Sequence, residues 1–252
     1  MEKSRVRDWI GKLPVAHRGL HNVLAGRIEN TLSAVRAAVD AGFAIEIDVQ
    51  LSADGKVMVF HDSMLERLTS ETGRMDARTS DELTGIRVSA TTDTIPLLTE
   101  VLAAIDGKVP LYIELKHEGP TDWGLERAVI ADLKDYGGPV AAMSFEPTSI
   151  VALRRLAPDL PRGIVAEAFT SDTAEISGLG AWERFYCRHL LHFFSTLPHF
   201  IAYRVQDLPA PAPVMLNTIL AIPLLAWTVR TKADVERAKL TGAQMIFEGL
   251  TP

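Results

Sequence analysis

At 252 residues, 47% of them hydrophobic, the chain can bury a large core and has the length of one α/β barrel or of two smaller domains. Its net charge of −6 argues against a broad nucleic-acid footprint. The single cysteine, Cys187, excludes an internal disulfide framework and a thiolate metal cluster. The opening residues carry charges and a proline where a secretory apolar region would stand. The longest apolar run, residues 214–229, holds Asn217 and Pro223 and is too short to span a bilayer. The expectation is a soluble cytoplasmic protein.

In chain order, strand-like runs fall at residues 14–18, 43–50, 57–61, 110–116, 139–145, 162–167, 199–205, 224–230 and 243–248. Helical patterns lie between most of them. Residues 29–42 offer Asn30 or Thr31 as a cap and Gly42 as a stop, and residues 231–242 start at Thr231. Such alternation predicts a parallel sheet covered by helices. Nine strands are one too many for an eightfold barrel. Asp54-Gly55 is a hairpin signal, so 57–61 is expected to fold back antiparallel on 43–52 and leave eight parallel strands. The fold expected is therefore an α/β TIM (β/α)8 barrel with an extra β-hairpin arm. A segment at 62–96 is inserted after the hairpin, within one domain spanning 1–252. A two-residue turn at Asp54-Gly55 would set Asp48 opposite His61, with their Cβ atoms ~5 Å apart.

Polar residues gather at the strand ends, where barrel active sites form. His17 and Arg18 end the first strand. Glu46 with Asp48, and Glu114 with Lys116, are i, i+2 pairs that each project from one face of a strand. Three carboxylates converging there repel one another unless a cation sits among them, and two basic side chains are too few. An all-oxygen ligand set points to a hard ion, Mg²⁺ or Ca²⁺. Two histidines beside such an ion, with Arg18 and Lys116 nearby, suit phosphoryl chemistry. Glu29-Asn30-Thr31 reads as a helix-start device. The remaining histidines, His21, His117, His189, His192 and His199, read as structural.

At these residues the chain resembles the glycerophosphodiester phosphodiesterase family. The likeness is dense over residues 15–73, through His17-Arg18-Gly19, Glu29-Asn30-Thr31, Glu46-x-Asp48-Val49 and His61-Asp62. Sparser matches follow at 112–116, 143–147, 225–231 and the C-terminal end. The resemblance implies a TIM barrel that cleaves a small-molecule glycerophosphodiester to sn-glycerol 3-phosphate and an alcohol, with one divalent cation. It places His17 and His61 on the catalytic acid–base pair and Glu46, Asp48 and Glu114 on the metal ligands. Arg18 and Lys116 would contact the phosphate, and Trp227 would line the headgroup pocket. The expected route uses the substrate's own 2-hydroxyl as nucleophile and a cyclic phosphate that water then opens; direct attack by water is the alternative. Two departures bear on substrate identity. Glu248 stands where the family often has Asp, and 168–200 match no family motif.

Other functions stay open at this point. Residues 182–200 interleave aromatic residues with Arg184 and Arg188, a pattern that packs on a barrel more often than on a membrane. If it meets a membrane surface, the substrate would be an intact lipid and the enzyme phospholipase-like. A metal-dependent aldolase or isomerase could use the same carboxylates and lysine without paired histidines. A silent binding barrel would have no need of the intact set.

Overall fold

The computed structural model describes residues 7–117, 122–170, 179–250 and 252. Strands form at all nine expected places. The chain divides into two compact units, Val15–Ala142, and Met1–Pro14 with Met143–Pro252. They are taken in turn.

In the first unit, β1 (Val15–Ala16) leads to α1 (Leu32–Ala41), β2 (Ala44–Leu51) and β3 (Val57–Val59). Next come α2 (Ser80–Gly85), α3 (Leu98–Ile105), β4 (Leu111–Leu115), α4 (Gly124–Asp132) and the start of β5 (Val140–Ser144). The central strand is β2. Along one edge β4 runs parallel to it, with Asp48 beside Glu114. Along the other edge β1 runs parallel to its first residues and β3 antiparallel to its last. Ile45, Ile47 and Val49 are fully buried, yet so are Glu46 and Asp48, so the polar face of β2 does not face solvent. Thr31 caps α1 through its hydroxyl, Gly42 ends it at φ 73°, and Ala34, Val35 and Ala38 are buried along it.

The hairpin departs from expectation by one residue. Val49 pairs with Val59 and Gln50 with Met58, while Phe60 N–H bonds to Asp48 O, so Asp48 faces Phe60 rather than His61. The cause is the loop: Ser52 N–H reaches Lys56 O, which makes it three residues long, with Gly55 closing it at φ 76°. Phe60 packs instead into a small core with Ile28, Met58, Leu65, Met75, Leu83, Val88 and Ile95, around which residues 62–96 gather. Asp54 ties the loop to the start of α2 by accepting from Ser80 N–H and the Ser80 hydroxyl, each at 2.7 Å.

In the second unit, β6 (Arg162–Ala166), β7 (Phe200–Arg204), β8 (Leu224–Val229) and β9 (Gln244–Phe247) lie parallel in sequence order. The helices are α5 (Pro147–Leu156), α6 (Ala181–Arg188), α7 (Phe193–Thr196), α8 (Pro211–Leu220) and α9 (Lys232–Leu240). Thr231 caps α9 in a capping box with Asp234. The helical pattern of 182–200 is two helices, broken near Leu190, which has φ 52°. Among the described residues no helix is long and apolar enough to cross a membrane.

Candidate active site

The site begins where β1 stops. Arg18 has φ 55° and Gly19 has φ 79°, so the chain turns sharply, and Gly19 N–H bonds to Glu46 O at 3.1 Å. A Cβ at Gly19 would lie 2.9 Å from the carbonyl carbon of Ala34 in α1, which only glycine avoids. The turn brings Arg18 N–H to Glu46 Oε2 at 2.9 Å and His17 Nε2 to within 3.9 Å of the same oxygen.

Strands β2 and β4 supply the acids. Glu46, Asp48 and Glu114 are buried, and one carboxylate oxygen from each lies within 4.8 Å of the other two. Lys116 Nζ donates to Glu114 Oε1 at 2.9 Å and stands 3.8 Å from Asp48 Oδ1. Asp48 Oδ2 accepts from Asn30 Nδ2 at 2.9 Å and pairs with Arg18 Nε at 3.2 Å. Burial raises the Asp48 carboxyl, but Arg18, His61, Lys116 and His17 outweigh it and hold Asp48 well below the usual carboxylate range. Glu46 goes the other way. Burial, then Asp48 and Glu114, push it well above its ordinary value against Arg18. Its Oε1 is buried with no hydrogen-bond partner among the described residues. A buried carboxylate with one partnerless oxygen, clustered with two more carboxylates, fits an oxygen-ligated divalent ion.

His61 lies past the end of the hairpin ladder. Its place is fixed from two sides. Gln50, on the same face of β2 as Glu46 and Asp48, donates through Nε2 to the carbonyls of Phe60, His61 and Asp62 at 2.9, 3.0 and 2.9 Å. The chain thus curls around one buried amide. His61 Nδ1 meets Asp62 Oδ1 at 2.7 Å. Arg67 Nε donates to the other oxygen of Asp62 and forks onto Glu29, which also accepts from Arg18 Nη1 at 2.6 Å. Burial raises Asp62, but its bonds to His61 and Arg67 prevail and keep it ionised well below its ordinary value.

Seven of the eight residues expected from sequence, His17, Arg18, Glu46, Asp48, His61, Glu114 and Lys116, belong to the first unit, where the contacts above gather them. The eighth, Trp227, is on β8 in the second unit, with its ring edge-on to Phe145 at 5.4 Å. Glu29-Asn30-Thr31 is more than a helix start. Thr31 caps α1, but Asn30 turns at φ 57° to hold Asp48 and Glu29 holds two arginines. Gln50 and Arg67 are absent from the residues expected from sequence, and Asp62 enters there only as the motif neighbour of His61; the polar alternation of β2 is the signal that indicates Gln50. Of the other histidines, His192 is buried and pushed down to about 4 by desolvation. His199 Nδ1 accepts from Arg162 N–H at 3.1 Å.

Several known proteins are similar to this chain. Over 245 residues the chain is 28% identical to the glycerophosphodiester phosphodiesterase of Caldanaerobacter subterraneus, covering 93% of each protein. It is 32% identical to Bacillus subtilis YqiK over 160 residues, which are 60% of this chain and 65%, under two thirds, of that relative. An Oleispira antarctica phosphodiesterase, solved in complex with the product sn-glycerol-3-phosphate, matches with a TM-score of 0.76 at 25% identity, over 93% of this chain and 92% of that one. The fold is the TIM (β/α)8 barrel. Residues 17–248 match the Glycerophosphoryl diester phosphodiesterase family, and the chain belongs to that family.

Proposed function

We propose that the chain is a hydrolase that converts glycerophosphodiesters to sn-glycerol 3-phosphate and an alcohol. One observation carries the reading: three buried carboxylates within 4.8 Å of one another, with His17 3.9 Å from one of them. The family and the product bound to the Oleispira antarctica relative support the substrate class. Glu46, Asp48 and Glu114 would hold one divalent ion, Mg²⁺ or Ca²⁺, which supplies positive charge to the phosphate oxygens when bound. Arg18 and Lys116, anchored by Asp48, Glu29 and Glu114, bring further positive charge to the phosphate. One of His17 and His61 takes the proton from the substrate's 2-hydroxyl as it attacks phosphorus. The other protonates the departing alcohol, and the roles reverse when water opens the cyclic phosphate. An intramolecular nucleophile gains at best ~7–11 kcal/mol from proximity. Residues 1–252 act as one phosphodiesterase domain with 62–96 inserted in it.

Substitution of the histidines tests the roles. His17→Ala and His61→Ala should each lower kcat ~10²–10⁴-fold, with KM much less affected. A p-nitrophenyl leaving group, which needs no proton, should relieve only the variant that lacks the acid. Normal turnover of glycerophosphocholine by either folded variant would overturn its assignment.

A second reading has its own observation. Phe194 on α7 and Ile219 on α8, 83 and 72% exposed, line one apolar groove suited to a lipid surface, and Trp182 on α6 is 70% exposed. On this reading lysophospholipid in vesicles is turned over faster than soluble glycerophosphodiesters. Equal or slower turnover on vesicles removes it.

A further inference from the structure

We propose that Arg67, braced by Glu29, is a positioning residue that acts through Asp62 to orient the imidazole of His61. The proposal rests on the reading of His61 as an acid–base group. An ionised Asp62 can only accept, so the 2.7 Å contact makes His61 Nδ1 the protonated nitrogen. Nε2 is then the nitrogen that exchanges a proton with substrate. A lone aspartate next in sequence to its histidine could swing away with the loop. Arg67 prevents this by using three donors at once: Nε to Asp62 Oδ2, and Nη1 and Nη2 to Glu29 Oε2 and Oε1 at 3.1 and 2.7 Å. The planar guanidinium matches that geometry, whereas a lysine would offer only a point charge.

Each end of this brace is itself anchored. Leu65, fully buried, and Leu68, partly buried, flank Arg67 and belong to the small core under residues 62–96. Glu29 precedes the cap of α1 and accepts from Arg18, whose Nε pairs with Asp48. Charges therefore alternate without a gap from Asp48 through Arg18, Glu29 and Arg67 to Asp62, on which His61 rests. Arg67 itself is 46% exposed, and an ion pair so exposed adds little to stability. Its fork ties Asp62, the partner of a catalytic histidine, to Glu29, which gives the arrangement a purpose that stability does not.

The test combines kinetics with a spectroscopic readout. Arg67→Met and Asp62→Ala should lower kcat ~10–100-fold with KM within about 2-fold, the usual size for a residue that orients a catalytic group. Arg67→Lys should recover only part of the loss. In a His61→Ala background Arg67→Met should cost nothing more, because a residue that works through His61 has nothing left to orient. Independently of activity, ¹⁵N NMR of the imidazole should show the Nδ1–H tautomer in the native protein and a shift toward Nε2–H in Asp62→Ala. If His61→Ala alone leaves kcat intact, the acid–base reading fails. If His61→Ala is impaired but Arg67→Met is normal, or its loss is undiminished in the His61→Ala background, the positioning role fails and the acid–base reading stands. Should Asp62→Ala not fold, Arg67→Met and the native tautomer decide the matter alone.

Discussion

Removing the amide of Gln50 should release the segment that carries His61. Its Nε2 has two hydrogens and serves three carbonyls, those of Phe60, His61 and Asp62, at 2.9–3.0 Å. Gln50→Ala leaves these acceptors without that donor in a largely buried place. Each unsatisfied buried acceptor costs ~1–3 kcal/mol, and two N–H groups are lost. Water can reach the exposed side of His61 and Asp62, which favours the lower half of that range and gives ~2–4 kcal/mol in total. At ~2–4 °C per kcal/mol for a chain of this size, Tm should fall by ~4–16 °C. With residues 60–62 free to shift, His61 loses its place. A displacement of ~1 Å is enough to lower kcat ~10²-fold, with KM changing less. Gln50→Glu is the sharper control, since it keeps the shape but turns a carboxylate oxygen toward the same carbonyls. It should be at least as damaging at neutral pH. Thermal unfolding and steady-state kinetics on both variants check this. Gln50→Ala with Tm within ~2 °C of the native protein and an unchanged kcat would refute the reasoning.

Two further outcomes follow from the site. Gly19→Ala forces an L side chain into φ 79° and against the Ala34 backbone, so urea unfolding should show a loss of at least ~1–2 kcal/mol together with reduced activity. Glu46 is raised above its ordinary value of 4.5 by burial, Asp48 and Glu114. Its contribution to the stability of the ion-free protein is therefore full below pH 4.5 and declines as pH rises from there through the raised value. A divalent ion should release a proton from Glu46 and stabilise the fold more at neutral than at acid pH. Calorimetry in two buffers of different ionisation enthalpy measures that release; equal heats would contradict it.

Much of the fold was legible because each strand carries its own signal. Ile45, Ile47 and Val49 alternate with Glu46, Asp48 and Gln50, and Thr31, Gly42 and Thr231 mark helix ends by capping chemistry that is local. Spacing also disclosed the carboxylates, since i, i+2 positions share a face and the β2–β4 register then sets Asp48 beside Glu114. The hairpin register was less accessible. Asp54-Gly55 announces a turn, but whether glycine is the second residue of a two-residue loop or the last of a three-residue one depends on Ser52 closing onto Lys56. That single residue moved Phe60 opposite Asp48 and left His61 to be positioned by side chains. Glu29, Gln50, Asp62 and Arg67 meet through contacts up to 38 residues apart in the chain. No local pattern encodes such a meeting.

The central claim is that this chain cleaves glycerophosphodiesters with an ion held by Glu46, Asp48 and Glu114. The most direct measurement is coupled detection of sn-glycerol 3-phosphate released from glycerophosphocholine, using enzyme stripped with EDTA and then supplied with Mg²⁺ or Ca²⁺, beside folded Asp48→Asn. The account predicts no product from the stripped enzyme, recovery on adding one of the ions, and a demand for far more ion in Asp48→Asn. Undiminished release after rigorous chelation, or no sn-glycerol 3-phosphate with either ion, would contradict it.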